Sequence, residues 1–407
     1  MNSNVSASDY RAAASATNEL GVDLYRKLAT EDGNLCLSPY SIESALAMTF
    51  AGADGKTRTE IARVLHFPEN GDQIHSSFAA LQKSLEEMAE KTKANIDQPK
   101  GSGDPSEPIS LTIANRLFAE KGYDFRQTFL ALVKNNYSAP LEPLDFSNSP
   151  EEARTHINDW VAEQTHKRIR DLIPVNALDA STRMVLTNAL YLKAPWADPF
   201  EKEATKPEPF HVKGGVPVDV PMMHERLERG GYVKRPGFTV FVIPYRGREL
   251  NFVVFLPDDV NGLLALEKQW TAKLLDECTK LPSADIILSF PKFKMEPPTV
   301  ALKTHLEALG MKTAFDEPPG SANFDRLAPR KPNEYLYLSK VFHKTFIAVD
   351  EEGTEAAAAT AAVVMMATSA MRPDQPIEVK VDRPFLYTIQ HVPSGACLFI
   401  GRVTDPR

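Results

Sequence analysis

The chain has 407 residues, 43% of them hydrophobic and 25% charged, an ordinary globular composition that excludes disorder, collagen and coiled coil for the chain as a whole. Lys and Arg number 46 against 54 Asp and Glu, a formal charge of −8, so there is no basic footprint for nucleic acid. No apolar run reaches the roughly 18 residues that a membrane-spanning helix needs. Three cysteines, Cys36, Cys278 and Cys397, make neither a disulfide framework nor a zinc-ligand spacing, and their apolar surroundings predict buried thiols. The start shows no charged segment followed by an apolar one, so no signal peptide is visible, as would also hold for a chain whose signal was trimmed. The compartment stays open: extracellular if a signal was trimmed, otherwise cytoplasmic.

In chain order, residues 9 to 29 read as an amphipathic helix, with Leu20, Leu24 and Leu28 at spacing four. A short strand, Asn34 to Leu37, leads into a helix opened by Ser38-Pro39, since proline suits the first helical turn. Helices are expected near 57 to 65 and 72 to 94. Residues 97 to 108, DQPKGSGDPSEP, read as a flexible surface insert. A strand over 109 to 118 follows, then helices over 124 to 136 and 150 to 167. From about 182 strands dominate, interrupted by helices near 261 to 279 and 299 to 309. Helices first and strands later predict an α+β chain. Length alone suggests two or three domains at roughly 150 residues each, but no clear linker divides the chain, so residues 1 to 407 are expected to form one unit.

Signals for catalysis are weak. No HExxH or HxxxH occurs, and no metal or cofactor is expected. Gly52-Ala-Asp-Gly-Lys-Thr57 lacks the glycine spacing of a phosphate loop and reads as a turn between helices. No GxSxG elbow offers a serine nucleophile, so the chain is not expected to be an enzyme. The basic run His166 to Arg170 falls at a predicted helix C-terminus, where cations complement the dipole.

The segment from 350 to 372 sets propensity against context. Alanine favours a helix over 356 to 362, yet strand patterns flank the tract. As a strand it alternates faces. Thr354, Ala356, Ala358, Thr360, Ala362 and Val364 share one face that is small and uncharged. Glu355, Ala357, Ala359, Ala361 and Val363 share the other. Such a segment fits both an exposed loop and a strand inserted into a sheet. A plain surface helix or alanine-rich linker fits the composition equally well.

The tract Glu351-Glu352-Gly353-Thr354-Glu355-Ala356-Ala357-Ala358-Ala359 resembles the hinge of inhibitory serpins. The resemblance runs along nearly the whole chain. Asn34 to Ile42, Thr187 to Trp196, Val381 to Leu386 and Phe399 to Val403 are similar to four further family motifs in the right order, and the 97 to 108 insert is the main departure.

The resemblance implies a serpin fold with three β-sheets, eight or nine α-helices and an exposed reactive-centre loop over about 351 to 376. It implies a suicide-substrate inhibitor of serine, or cysteine, proteases. The protease attacks the loop, and the cut loop inserts into the central sheet before the acyl complex can hydrolyse. In the family register the reactive bond is Ala367–Thr368, with Met366–Ala367 as second choice. The trypsin-directed Arg372 lies too far along. Small and thioether residues there suit elastase-like or subtilisin-like targets. Ser38, Ser41, Asn188 and His343 match the hydrogen-bonded shutter under the central strands. Trp196, Lys292 and Glu351 match the breach where the loop enters, with a Lys292–Glu351 pair tethering the hinge. The implied partner is a target serine protease, with no nucleic acid and no membrane. The implied state is a monomer for which loop–sheet polymerisation is the hazard. The alternative is a non-inhibitory serpin acting as a carrier, chaperone or storage protein. Carriers tend to place charge, proline or bulk where Thr354, Ala356 and Ala358 stand, and this hinge does not.

Overall fold

Ser38 shows how local chemistry starts the architecture. Its extended backbone leaves the first strand, its hydroxyl accepts from the N–H of Ser41, and Pro39 occupies the first helical position. In the computed structural model the described residues are 10–30, 32–68, 71–96, 108–318, 320–330, 334–355 and 375–407. Among them are nine α-helices: α1 (Arg11–Leu28), α2 (Pro39–Gly52), α3 (Gly55–Val64), α4 (Gln73–Ile96), α5 (Gln127–Tyr137), α6 (Pro150–Gln164), α7 (Leu263–Gln269), α8 (Ala272–Glu277) and α9 (Lys303–Leu309). The first strands are β1 (Leu35–Leu37), β2 (Ser110–Ile113), β3 (Arg116–Glu120), β4 (Glu142–Leu144), β5 (Met184–Pro195) and β6 (Lys206–Phe210). Next come β7 (Val218–Arg235), β8 (Phe238–Pro244), β9 (Leu250–Pro257), β10 (Ser283–Pro291), β11 (Phe293–Met295) and β12 (Val300–Ala301). The last are β13 (Lys340–Thr345), β14 (Ile347–Val349), β15 (Gly353–Thr354), β16 (Ile377–Lys380), β17 (Phe385–His391) and β18 (Cys397–Val403).

The strands form two hydrogen-bonded networks of nine. One runs β1-β18-β17-β9-β8-β7-β10-β16, with β6 on β7. Its long strand β7 pairs with β6 and β10 along one part and with β8 from Gly231 to Arg235. A single strand thus joins what the family resemblance counts as two sheets. The other network is the central sheet. Strand β5 is its axis, flanked by β2 and β3 on one side and by β13 and β15 on the other.

The central sheet is covered on both faces. Alternation along β5 sends Leu186 and Leu190 into the main core beside α2, and Val185 and Ala189 into a second core under α6. Ile157 and Val161 of α6 fill that second core with Phe342 and Phe346. No helix of the described residues is long and apolar enough to cross a membrane.

Several boundaries differ from the sequence reading. Residues 261 to 279 form two helices, because buried Trp270 is extended and Thr271 caps α8 by accepting from the N–H of Leu274. The strand that precedes the 350–372 tract begins at Lys340. Before it, Leu338 donates to the carbonyl of Ala314, away from the sheet, and Ser339 to that of Met184, the first residue of β5. Helix α6 stops at Gln164, so the basic run lies beyond the helix, with His166 and Lys167 in left-handed conformation. The turn between α2 and α3 is the short one expected, and all three cysteines are free and buried. Most of the 97 to 108 insert, residues 97–107, lies outside the described residues.

Candidate functional site

The four polar residues expected at the shutter meet in one buried cluster. His343 on β13 stands opposite Asn188 on β5 in a parallel ladder. The imidazole Nδ1 lies 2.5 Å from Asn188 Oδ1, and the backbone N–H of Ser38 donates to its Nε2 over 3.1 Å. A backbone N–H can only donate, so Nε2 is the acceptor and Nδ1 carries the proton that goes to Asn188. The Asn188 amide then donates to the carbonyl of Phe342 over 2.9 Å. Burial pushes the His343 pKa down to about 3, against an opposing contribution from Asn188, so the ring is neutral at physiological pH and the tautomer holds. Ser38, Ser41 and Asn188 are fully buried.

Asn115 is a fifth member that sequence reasoning missed. Strands β2 and β3 pair with β5 in one continuous register, which sets Asn115 at the level of Asn188. Its Oδ1 accepts from the Ser41 hydroxyl over 2.8 Å and its Nδ2 donates to the Ser41 carbonyl over 2.9 Å. A polar row therefore crosses three adjacent strands, anchored on the first turn of α2. Each hydrogen bond satisfies a group that would be costly to bury alone.

The residues expected at the breach, Trp196, Lys292 and Glu351, gather at the upper end of β5. Trp196 donates its indole N–H to the Asp350 carbonyl over 2.9 Å and stacks on Tyr245 at 4.5 Å and 16°. Lys292 Nζ lies 2.7 Å from Glu351 Oε2, and the Thr205 hydroxyl donates to Glu351 Oε1 over 3.0 Å. Burial alone would raise the Glu351 pKa, but these hydrogen bonds and the lysine charge outweigh it and hold the carboxylate below its ordinary value. The backbone N–H groups of Trp196 and Phe200 donate to the carbonyls of Glu352 and Glu351, both over 2.9 Å. A second lysine, Lys202, lies 2.7 Å from Glu352.

Here the hinge enters the sheet. Gly353 pairs with Pro195 and Thr354 with Ala194 on β5, while Thr354 also faces Val349 of β14. A side chain at Gly353 would place its Cβ 2.2 Å from the Ala194 carbonyl oxygen, so only glycine fits that approach. Thr354 is buried, its hydroxyl 2.5 Å from that of Tyr245. The Glu355 N–H still reaches the Ala348 carbonyl over 2.8 Å, and its carboxylate pairs with Arg168. Hinge residues Ala356, Ala357, Ala358 and Ala359, and the bond Ala367–Thr368 with its neighbour Met366, lie outside the described residues. Below the hinge the sheet is closed: β5 and β13 pair directly from Val185↔Lys340 to Leu190↔Thr345. The site is thus a seam between two strands, occupied by β15 at its top and bridged by the His343–Asn188 hydrogen bond at its middle.

No group of three or more His, Cys, Asp or Glu side chains suited to a metal occurs among the described residues. Tyr245, Arg168 and Thr205 touch the hinge, yet nothing in their local sequence marks them, since each reaches it from a distant part of the chain.

The described residues thus form an α+β molecule whose central sheet holds Gly353 and Thr354 between β5 and β14. The family model described as Serpin (serine protease inhibitor) matches residues 15–406, and the chain belongs to that family. It is 37% identical over 403 residues to leukocyte elastase inhibitor of Equus caballus, covering 97% of this chain and 99% of that relative. Among solved structures it resembles Serpin48 of the insect Tenebrio molitor, with a TM-score of 0.81 and 29% identity over 97% of this chain and 98% of the other. It also resembles uncleaved ovalbumin, with a TM-score of 0.79 and 27% identity over 97% and 100%.

Proposed function

We propose that this chain is a suicide-substrate inhibitor of serine proteases of elastase-like or subtilisin-like specificity, cut at Ala367–Thr368 and trapping the acyl-enzyme by loop insertion. The observation that carries this reading is the seated hinge. Gly353 and Thr354 already lie as a strand between β5 and β14, antiparallel to both. Further insertion only has to continue that register.

Carried down the seam, the same register brings Thr360 to the level of Asn188 and His343, the latch itself. Insertion therefore has to part the His343–Asn188 hydrogen bond and supply a new neighbour to each strand. It exchanges the one ladder between β5 and β13 for two, one on each side of the new strand. That net ladder, at about 1 kcal/mol per hydrogen bond, works against an ordering cost of similar size. The small face of Thr354, Ala356, Ala358, Thr360 and Ala362 keeps the exchange free of steric and charge penalties.

Strand length supports the position of the bond. The first residue of β5, Met184, falls in register with Val364. The seam is then full just before Met365, Met366 and Ala367. A cut after Ala367 lets the sheet take up the whole hinge and leaves a short tether at its far end, roughly 40 Å of strand from the entry. A cut at Arg372 would leave a longer slack tail. The relatives named as inhibitors of leukocyte elastase support the target class.

The experiment is incubation with subtilisin and with pancreatic elastase, followed by denaturing electrophoresis and mass spectrometry of the released peptide. The expected result is a covalent adduct of summed mass and a peptide beginning at Thr368. Clean cleavage without adduct by every protease tried would overturn the inhibitor reading in favour of a carrier, chaperone or storage role.

A further inference from the structure

Arg168 belongs to neither the expected shutter nor the expected breach, yet it contacts Glu355, the last described residue of the hinge. Its Nε donates to Glu355 Oε1. Glu355 is half-left behind by the sheet: its N–H completes the β14 contact, while its own backbone turns left-handed, at φ 47°. For a non-glycine residue that conformation costs about 1 kcal/mol or more and persists only where surroundings enforce it. The carboxylate is nine-tenths buried, and its Oε2 has no hydrogen-bond partner among the described residues. Burial pushes the Glu355 pKa up, and Arg168 is the hydrogen-bonding partner that opposes it, with Lys193 and His166 adding charge at longer range.

The segment that presents Arg168 is itself constrained. His166 and Lys167 are consecutive left-handed residues at φ 49° and 63°, and the His166 ring packs edge-on to Tyr191 of β5 at 5.0 Å. The guanidinium lies 5.6 Å from the ring centre of Phe346, the residue between β13 and β14. Arg168 therefore sits over the point where the seam changes from occupied to closed.

We propose that Arg168 is a positioning residue for inhibition: by holding Glu355 it seats Gly353–Glu355 as the nucleus from which the cut loop zips into the sheet. This deepens the inhibitor reading and rests on it. A seated nucleus has already met the ordering cost of its first residues, so the acyl-enzyme race against hydrolysis starts ahead. Loss of the pair unseats the nucleus and lets more acyl-enzyme hydrolyse.

The test compares Arg168→Ala, Arg168→Lys and Glu355→Gln in the full chain. Hydrogen exchange of the uncut protein is read at the Glu355 amide, and inhibitor consumed per subtilisin inactivated is read by titration. In Arg168→Ala the Glu355 amide is expected to exchange at least about tenfold faster, while amides of β13 keep their protection. Inhibitor consumption is expected to rise at least about threefold, with Arg168→Lys between the two and Arg168→Ala/Glu355→Gln no worse than Arg168→Ala alone. An unchanged Glu355 amide, or faster exchange with unchanged consumption, overturns the proposal. If the unaltered chain forms no adduct, the inhibitor reading fails, while the exchange measurement still decides whether Arg168 seats the hinge.

Discussion

Thr354→Arg tests the seam most directly. The side chain at 354 is 2% exposed, and its hydroxyl meets Tyr245, itself fully buried and stacked on Trp196. Burial raises the Tyr245 pKa, so its phenol keeps the proton it shares with Thr354. An arginine there would bury an unpaired guanidinium at a cost of several kcal/mol and orphan the Tyr245 hydroxyl for a further 1–3 kcal/mol, roughly. Taking about 4 kcal/mol as the lower end, insertion slows on the order of a thousandfold, at 1.36 kcal/mol per factor of ten. An acyl-enzyme kept waiting that long hydrolyses, so the variant becomes a substrate. Thr354→Ser keeps the hydroxyl and is expected to inhibit normally. Thr354→Val keeps the volume, orphans Tyr245 and is expected to slow insertion about tenfold. The assay is adduct yield on denaturing gels at a fixed ratio to subtilisin. Adduct from Thr354→Arg at the yield of the unaltered chain would refute burial of this residue during trapping.

Two pH experiments follow from buried titratable groups. His343 has its folded pKa depressed to about 3, so below the ordinary histidine value of roughly 6.5 the unfolded chain gains a proton that the fold refuses. Stability conferred by the neutral ring is therefore complete above that value and lost as pH falls toward 3, on the order of a few kcal/mol by pH 4. Because His75 and His391 are depressed in the same direction, the informative quantity is the difference between the unaltered chain and His343→Gln, whose melting midpoint should fall less steeply from pH 7 to pH 4. Equal slopes would remove His343 from the acid response. Glu43, fully buried in α2, has the opposite linkage. Burial raises its pKa well above the ordinary value, with the Thr17 hydroxyl offsetting part of the shift, so stability is present below the unfolded pKa and lost as pH rises past it. Glu43→Gln should melt at least about 2 °C higher at pH 7 and lose that advantage at pH 4, as read by differential scanning calorimetry.

Much of the seam could be read from residue order. The small face of the hinge is a local property, because side chains on a strand alternate and a list of residues states which ones share a face. Ser38-Pro39 announced the start of α2, and the Ser38, Ser41, Asn188 and His343 set came from motif resemblance; the structure puts all four in contact. Lys292 and Glu351 likewise stand 2.7 Å apart. Helix ends were less legible where a buried aromatic overrode propensity, as at Trp270.

What order along the chain could decide, then, was which segments alternate, which turn, and which tract is small enough to enter a sheet, since each depends on neighbours a few residues away. Only the tertiary structure decided how far the hinge is seated, that Asn115 completes the polar row, and that Tyr245 and Arg168 receive Thr354 and Glu355. Those contacts join residues from 74 to 187 positions apart. Nothing in local propensity encodes such distances; they exist because a closed ladder of strands brings remote residues to the same level of one sheet.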